Sequence, residues 1–106
     1  MSTMFSSHGT VLLIEDERPF RKVYGDILER NGYRCQEASD GEEGWVMAQE
    51  GKPDIILLDA ILPRMSGLDL LHKIRRTAAT KHIPVVMLTI LGDEESMKEH
   101  LAAGAD

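Results

Sequence analysis

Cysteine and positive charge are both scarce in this chain, and each scarcity removes a class of function. Cys35 is the one cysteine among 106 residues, so an internal disulfide and a cysteine-based metal site are excluded. The thiol reads as a buried spectator in a reducing compartment. Lys and Arg number 12 against 18 Asp and Glu, a net charge of -6. A nucleic-acid surface needs clustered basic residues, so no direct nucleic-acid binding is expected. No apolar stretch approaches the roughly 20 residues of a membrane span, and residues 1–9 lack the apolar centre of an export signal. No membrane role is expected, and a cytoplasmic location is. Neither G-x-x-x-x-G-K-[ST] nor G-x-G-x-x-G occurs, which disfavours nucleotide-binding enzymes. His8, His72, His82 and His100 show no metal-ligand spacing and read as solvated surface. Trp45, the single tryptophan, reads as a packing residue.

What the chain does have is three short apolar runs, each stopping on a chemically capable residue. Val11, Leu12, Leu13 and Ile14 lead into Glu15 and Asp16; Ile55, Ile56, Leu57 and Leu58 lead into Asp59; Val85, Val86, Met87 and Leu88 lead into Thr89. Runs of this length, separated by amphipathic stretches, read as buried parallel strands. Ligands gather outside the carboxyl ends of such strands, so three carboxylates and a hydroxyl should converge at one edge.

Between these runs the apolar spacing becomes helical. Residues 18–31 place Phe20, Val23, Tyr24, Ile27 and Leu28 on one face, expected to be buried, with Asn31 and Gly32 as a stop. Residues 33–38 form a second strand. Ser39, Asp40 and Gly41 then offer a cap for a helix through Trp45, Val46 and Ala48 that ends at Gly51. After Asp59 comes a loop, then a helix with Leu68, Leu71 and Ile74 inward and Arg75 and Arg76 at its negative end. A fourth strand over 83–89 leads to a last helix containing Met97, Leu101 and Ala102, whose exposed side carries Glu94, Glu95, Lys98 and Glu99. Strand and helix alternate throughout, which predicts an α/β fold, a doubly wound parallel sheet with right-handed crossovers. The length suits one domain over 10–106, preceded by a flexible segment over 1–9.

Carboxylates held within a few Å repel one another, so the site should raise a pKa or recruit a cation. Mg²⁺ is the natural occupant, because it takes oxygen ligands from one or two carboxylates and usually partners a phosphate. With its charge neutralised, a carboxylate becomes a nucleophile toward phosphorus. Thr89 is placed to donate a hydrogen bond to a phosphoryl oxygen.

The two strand-end motifs around Glu15, Asp16 and Asp59, the loop Leu62, Pro63, Arg64, Met65, Ser66, Gly67, the run from Ile83 and Pro84 to Thr89, and the closing Ala103, Gly104, Ala105, Asp106 resemble, in order and spacing, the motifs of response-regulator receiver domains of two-component signalling. The resemblance covers the chain from about Thr10 to its last residue. It implies a flavodoxin-like receiver with strand order 2-1-3-4, the usual fifth strand and fifth helix missing. It further implies that Asp59 accepts a phosphoryl group from a histidine kinase or phosphotransfer protein. Asp16 and Asp59 would bind Mg²⁺ through side chains and Ile61 through its backbone carbonyl, while Glu15 holds a metal-bound water. Thr89 would be the switch hydroxyl, and Pro63 and Gly67 would shape the loop beside the acceptor. Such a domain is a signalling switch and turns over no external metabolite.

Three departures from the family pattern bear on that reading. Glu15 stands where a second Asp is more common, which keeps the charge and moves it outward. Ile90 follows Thr89 where a small residue is common, which narrows access to the acceptor. The family's fifth-strand lysine has no counterpart, and the fourth strand becomes an apolar edge, so a homodimer through that edge or the last helix is expected. An effector domain or protein beyond Asp106 is a further expected partner. A phosphorylation-independent binding module with the same fold is the alternative reading. A phosphatase of the haloacid-dehalogenase type is disfavoured, because it wants an acid/base Asp two positions after the nucleophile and Ile61 stands there.

Overall fold

The computed structural model describes residues 9–89 and 94–106, and the side chains of Thr89, Glu94, Ser96 and Met97 also lie outside that description. The elements follow as β1 (Thr10–Ile14), α1 (Arg18–Arg30), β2 (Arg34–Ala38), α2 (Gly41–Glu50), β3 (Ile55–Asp59), α3 (Gly67–Arg76), β4 (Val85–Thr89) and α4 (Glu94–Ala102). All strand pairs are parallel and the order is β2-β1-β3-β4, as expected. The fourth strand starts at Val85 rather than at residue 83. Proline has no N–H to give a ladder, and the Ile83 N–H is used in a turn, donating to the Thr80 carbonyl at 3.0 Å.

Local chemistry sets the helix ends. Pro19 lies in the first turn of α1, where its missing N–H costs nothing. The Asp40 carboxylate accepts from the Glu43 N–H at 2.8 Å and the Ser66 hydroxyl accepts from the Asp69 N–H at 3.1 Å, capping α2 and α3. At the other end of α3 the buried Thr80 hydroxyl donates to the Ile74 carbonyl at 2.8 Å, satisfying one of the acceptors a helix terminus leaves open.

Right-handed crossovers decide the layers. The connection from β1 to β2 runs one way across the sheet, while those from β2 to β3 and β3 to β4 run the other, so α1 lies on one face and α2 and α3 on the opposite one. Leu12, Ile14, Ile56, Leu58 and Val85 pack with Ala48 of α2 and Leu70, Leu71 and Ile74 of α3 into a buried cluster. Ala103 and Ala105, just after α4, pack against the same cluster. Trp45 sits at its edge as a packing residue, with the Lys73 ammonium 5.3 Å from its ring centre.

Two expectations need correction. The face of α1 is amphipathic as read, but it is not buried: Phe20 is 51% exposed, Val23 54% and Ile27 45%. Tyr24 and Leu28 are half-buried. Among the described residues α1 is the one helix on its side of the sheet, and Val86 of β4 is exposed too. Periodicity marks an apolar face; whether the fold supplies a neighbour for it is a tertiary matter. His100 was expected at the surface and is buried at 7% exposure, whereas Leu101 next to it points outward. His82 is exposed and His72 half-buried, while His8 lies outside the described residues.

Candidate functional site

Register brings the three strand ends together. Ile14 pairs with Leu58 across β1 and β3, which places Glu15 beside Asp59. Asp59 pairs in turn with Thr89. The β3–β4 pairing shifts between Leu58 and Asp59, the kind of irregularity that re-aims side chains at a strand end. Glu15, Asp16, Asp59 and Ile61 all line one cleft of about 380 Å³ at this edge, together with Glu17, Phe20, Tyr24 and Leu88.

The turn from β1 to α1 is held by a bond to β2 and by one of its own. The Glu15 N–H donates to the Ala38 carbonyl at 3.1 Å, extending the strand by one residue. The Glu15 carboxylate accepts from the Glu17 N–H at 3.1 Å. Carboxylate oxygens of Glu15, Asp16 and Glu17 all lie within 4.8 Å of one another.

The loop after β3 is built around the candidate acceptor. The Asp59 carboxylate accepts from the Ile61 N–H at 3.1 Å, and the Gly67 N–H donates to the Ala60 carbonyl at 3.0 Å. A Cβ at Gly67 would run into the Asp59 carbonyl oxygen and come within 2.7 Å of the Ala60 Cα, so only glycine lets α3 start this close to Asp59. Arg64 has φ 69°, in the centre of a tight turn closed by the Met65 N–H on the Pro63 carbonyl at 2.7 Å. Its guanidinium donates to the second oxygen of Asp40 at 3.0 Å, joining this loop to the cap of α2.

Glu15 and Asp59 are both buried, at 3% and 6% exposure. Burial, followed by the neighbouring Asp59 and Asp16 carboxyls, pushes Glu15 up to about 7, although the Glu17 N–H pulls the other way. Protonation or a cation relieves the repulsion. The donors are all oxygens, two of them buried carboxylates, and this set suits a hard divalent cation such as Mg²⁺.

Every sequence-predicted ligand is thus brought to one cleft. Thr89 is placed there by its backbone, while its side chain and the whole of Ile90 lie outside the described residues. Reading the sequence missed Glu17 as a third member of the acidic turn, and it missed Arg21 beneath that turn. Phe20 and Tyr24, which have the spacing of core residues, line the cleft instead. Cys35 is half-buried, and burial followed by Glu37 and Glu29 pushes its thiol up to about 11, so it is an inert thiol.

The model of the response regulator receiver domain family matches residues 11–106. The phosphate regulon transcriptional regulatory protein PhoB of Klebsiella pneumoniae is 44% identical over 96 residues, covering 91% of this chain and 42% of that protein. PhoB of Pseudomonas aeruginosa is 39% identical over 97 residues, covering 92% and 42%. The chain therefore spans about two fifths of the length of these curated relatives. Among solved structures, the receiver domain of the Francisella response regulator 1452 superposes with a TM-score of 0.87 at 27% identity, covering 93% of this chain and 80% of that one. The receiver domain of a sensor histidine kinase from Pseudomonas aeruginosa PAO1, with a magnesium ion in its active-site cleft, superposes at 0.84 with 28% identity, covering 92% and 80%. A four-stranded parallel sheet in the order β2-β1-β3-β4, an acidic cleft at its carboxyl edge and a family match over nearly the whole chain lead to one conclusion: this chain belongs to the response-regulator receiver domains of two-component signalling.

Proposed function

We propose that Asp59 is the phosphoacceptor and that the cleft around it binds Mg²⁺. The supporting observation is the placement of a buried Asp59 beside a buried Glu15, with Asp16 lining the same cleft. Asp16, Asp59 and the Ile61 carbonyl would hold the ion, with Glu15 reaching it through water. When bound there, the cation would screen the carboxylates and supply charge stabilisation for the transferring phosphoryl group.

The Ile61 N–H fixes the Asp59 carboxylate at the cleft. A carboxylate oxygen of Asp59 attacks phosphorus, the P–N bond of a donor phosphohistidine breaks, and the electron pair stays on the departing nitrogen. The product is an acyl phosphate, which water later cleaves to restore the carboxylate and release phosphate. Thr89, paired with Asp59 across β3 and β4, is the hydroxyl proposed to follow the phosphoryl oxygens and carry the change into β4 and α4. The domain acts as a switch and not as an enzyme on an external metabolite.

A histidine kinase or phosphotransfer protein is the proposed donor. An effector domain or protein reads the switch, in line with the greater length of the relatives. Among the described residues no helix is long and apolar enough to cross a membrane, which supports a cytoplasmic role. Incubation with Mg²⁺ and acetyl phosphate, followed by intact mass measurement, tests the assignment. One phosphoryl adduct is expected, abolished in Asp59→Ala and by EDTA. An adduct that survives Asp59→Ala overturns the acceptor, and no adduct at all favours a phosphorylation-independent binding module.

A further inference from the structure

We propose that Arg21 is a positioning residue for the cation site, acting through the backbone of the acidic turn and not by touching the ion. This rests on the reading that the cleft binds Mg²⁺. Arg21 lies one turn into α1, its side chain only 18% exposed. One guanidinium nitrogen, Nη1, donates to the Glu15 carbonyl at 2.9 Å and approaches the Asp16 carbonyl at 3.4 Å. Nε faces the Glu37 carboxylate at 3.4 Å.

The carbonyls of residues 15 and 16 fall between a strand that has ended and a helix that has not begun. The carboxylates attached to this stretch repel one another, so the turn tends to open just where its shape matters most. A cation seated on the two carbonyls closes it without occupying the carboxylates. The placement of the guanidinium matters as well. Directed into the cleft, it would pair with Asp16 or Asp59, because Arg favours carboxylate forks, and it would compete with a divalent ion. Glu37, on β2, holds it on the far side of the turn. Gly25 makes room for that anchor, since a Cβ there would lie 2.9 Å from a Glu37 carboxylate oxygen. Arg21 and Glu37 together therefore support the cation site from outside, as residues behind a metal's own ligands commonly do.

Mg²⁺ titration by calorimetry on the wild-type chain, Arg21→Ala, Arg21→Lys and Glu37→Gln provides the test, with circular dichroism as the check on folding. Arg21→Ala is expected to weaken Mg²⁺ binding about 10-fold or more. Lys keeps the charge but has no planar fork, so Arg21→Lys should recover only part of the loss. Glu37→Gln should also weaken binding. If Arg21→Ala fails to fold, Arg21→Lys and Glu37→Gln carry the test. Folded variants that bind Mg²⁺ as tightly as wild type, or full rescue by Lys, overturn the inference. A wild-type chain that takes up no Mg²⁺ is a separate failure, that of the cation-site reading itself.

Discussion

Glu15 and Asp59 stand side by side at the carboxyl ends of adjacent parallel strands, both buried. Burial and the neighbouring carboxyls push Glu15 up to about 7. The Asp59 carboxylate makes ionising Glu15 costlier, and this pairing gives the site its pH dependence.

The sign of that dependence follows from linkage. Glu15 holds its proton to about 7 in the folded chain, against an ordinary value of 4.5, so the folded state carries a proton that the unfolded state gives up. Metal-free stability is therefore highest at low pH within this window and falls as pH rises from about 4.5 through about 7, by at most about 3 kcal/mol. Melting curves in EDTA should show Tm dropping over that range, and Glu15→Gln should flatten the drop. Added Mg²⁺ should raise Tm more above pH 7 than below it, because the ion favours the ionised site.

Gly67→Ala should disturb Asp59 as well as the fold. The added methyl meets the Asp59 carbonyl and the Ala60 Cα, backbone that cannot yield as a side chain tip does. A loss of about 1–3 kcal/mol is expected in urea denaturation. Phosphoryl uptake from acetyl phosphate should slow even under conditions where the variant remains folded. Unchanged uptake would show that the start of α3 does not position Asp59.

Asp40 carries two duties that separate by substitution. One carboxylate oxygen caps α2 through the Glu43 N–H and the other holds Arg64. Asp40→Ala should cost about 1 kcal/mol from the cap alone, and Asp40→Ser should restore most of it. Neither variant keeps the Arg64 partner, so amide hydrogen exchange at Met65 should be faster in both. Equal protection in wild type and Asp40→Ser would show that the turn at Arg64 holds its shape without Asp40.

Gly44 lets α2 pack directly over Ile14 of β1. A Cβ there would lie 2.7 Å from the Ile14 Cδ1, so Gly44→Ala should destabilise by about 1–3 kcal/mol despite the better helix propensity of alanine. Adding Ile14→Val removes that terminal methyl and should recover part of the loss. A double-mutant cycle in urea reads the coupling.

Local pattern alone is enough to specify the strands, the helices and the identities at the strand ends. Val11 to Ile14, Ile55 to Leu58 and Val85 to Leu88 are apolar runs too short for anything but buried strands in this alternation. Asp40 and Ser66 are caps legible as residue types beside a helical periodicity. The strand order 2-1-3-4 was implied by the resemblance to receiver domains and by no local pattern, and with that order the strand ends meet. What each surface meets is set by packing between elements distant in the chain. The apolar ridge of α1 has the pattern of a buried face and is left open, because no other described helix shares its side of the sheet. His100 has the pattern of a solvated residue and is buried, because α4 turns it inward. Arg21 reads as one more charged residue on a helix, and it becomes a clamp only when a turn 6 residues earlier folds back within 2.9 Å of it. The carboxylate of Glu15 looks ordinary in sequence; burial and its neighbours, which three-dimensional packing supplies, push it to about 7.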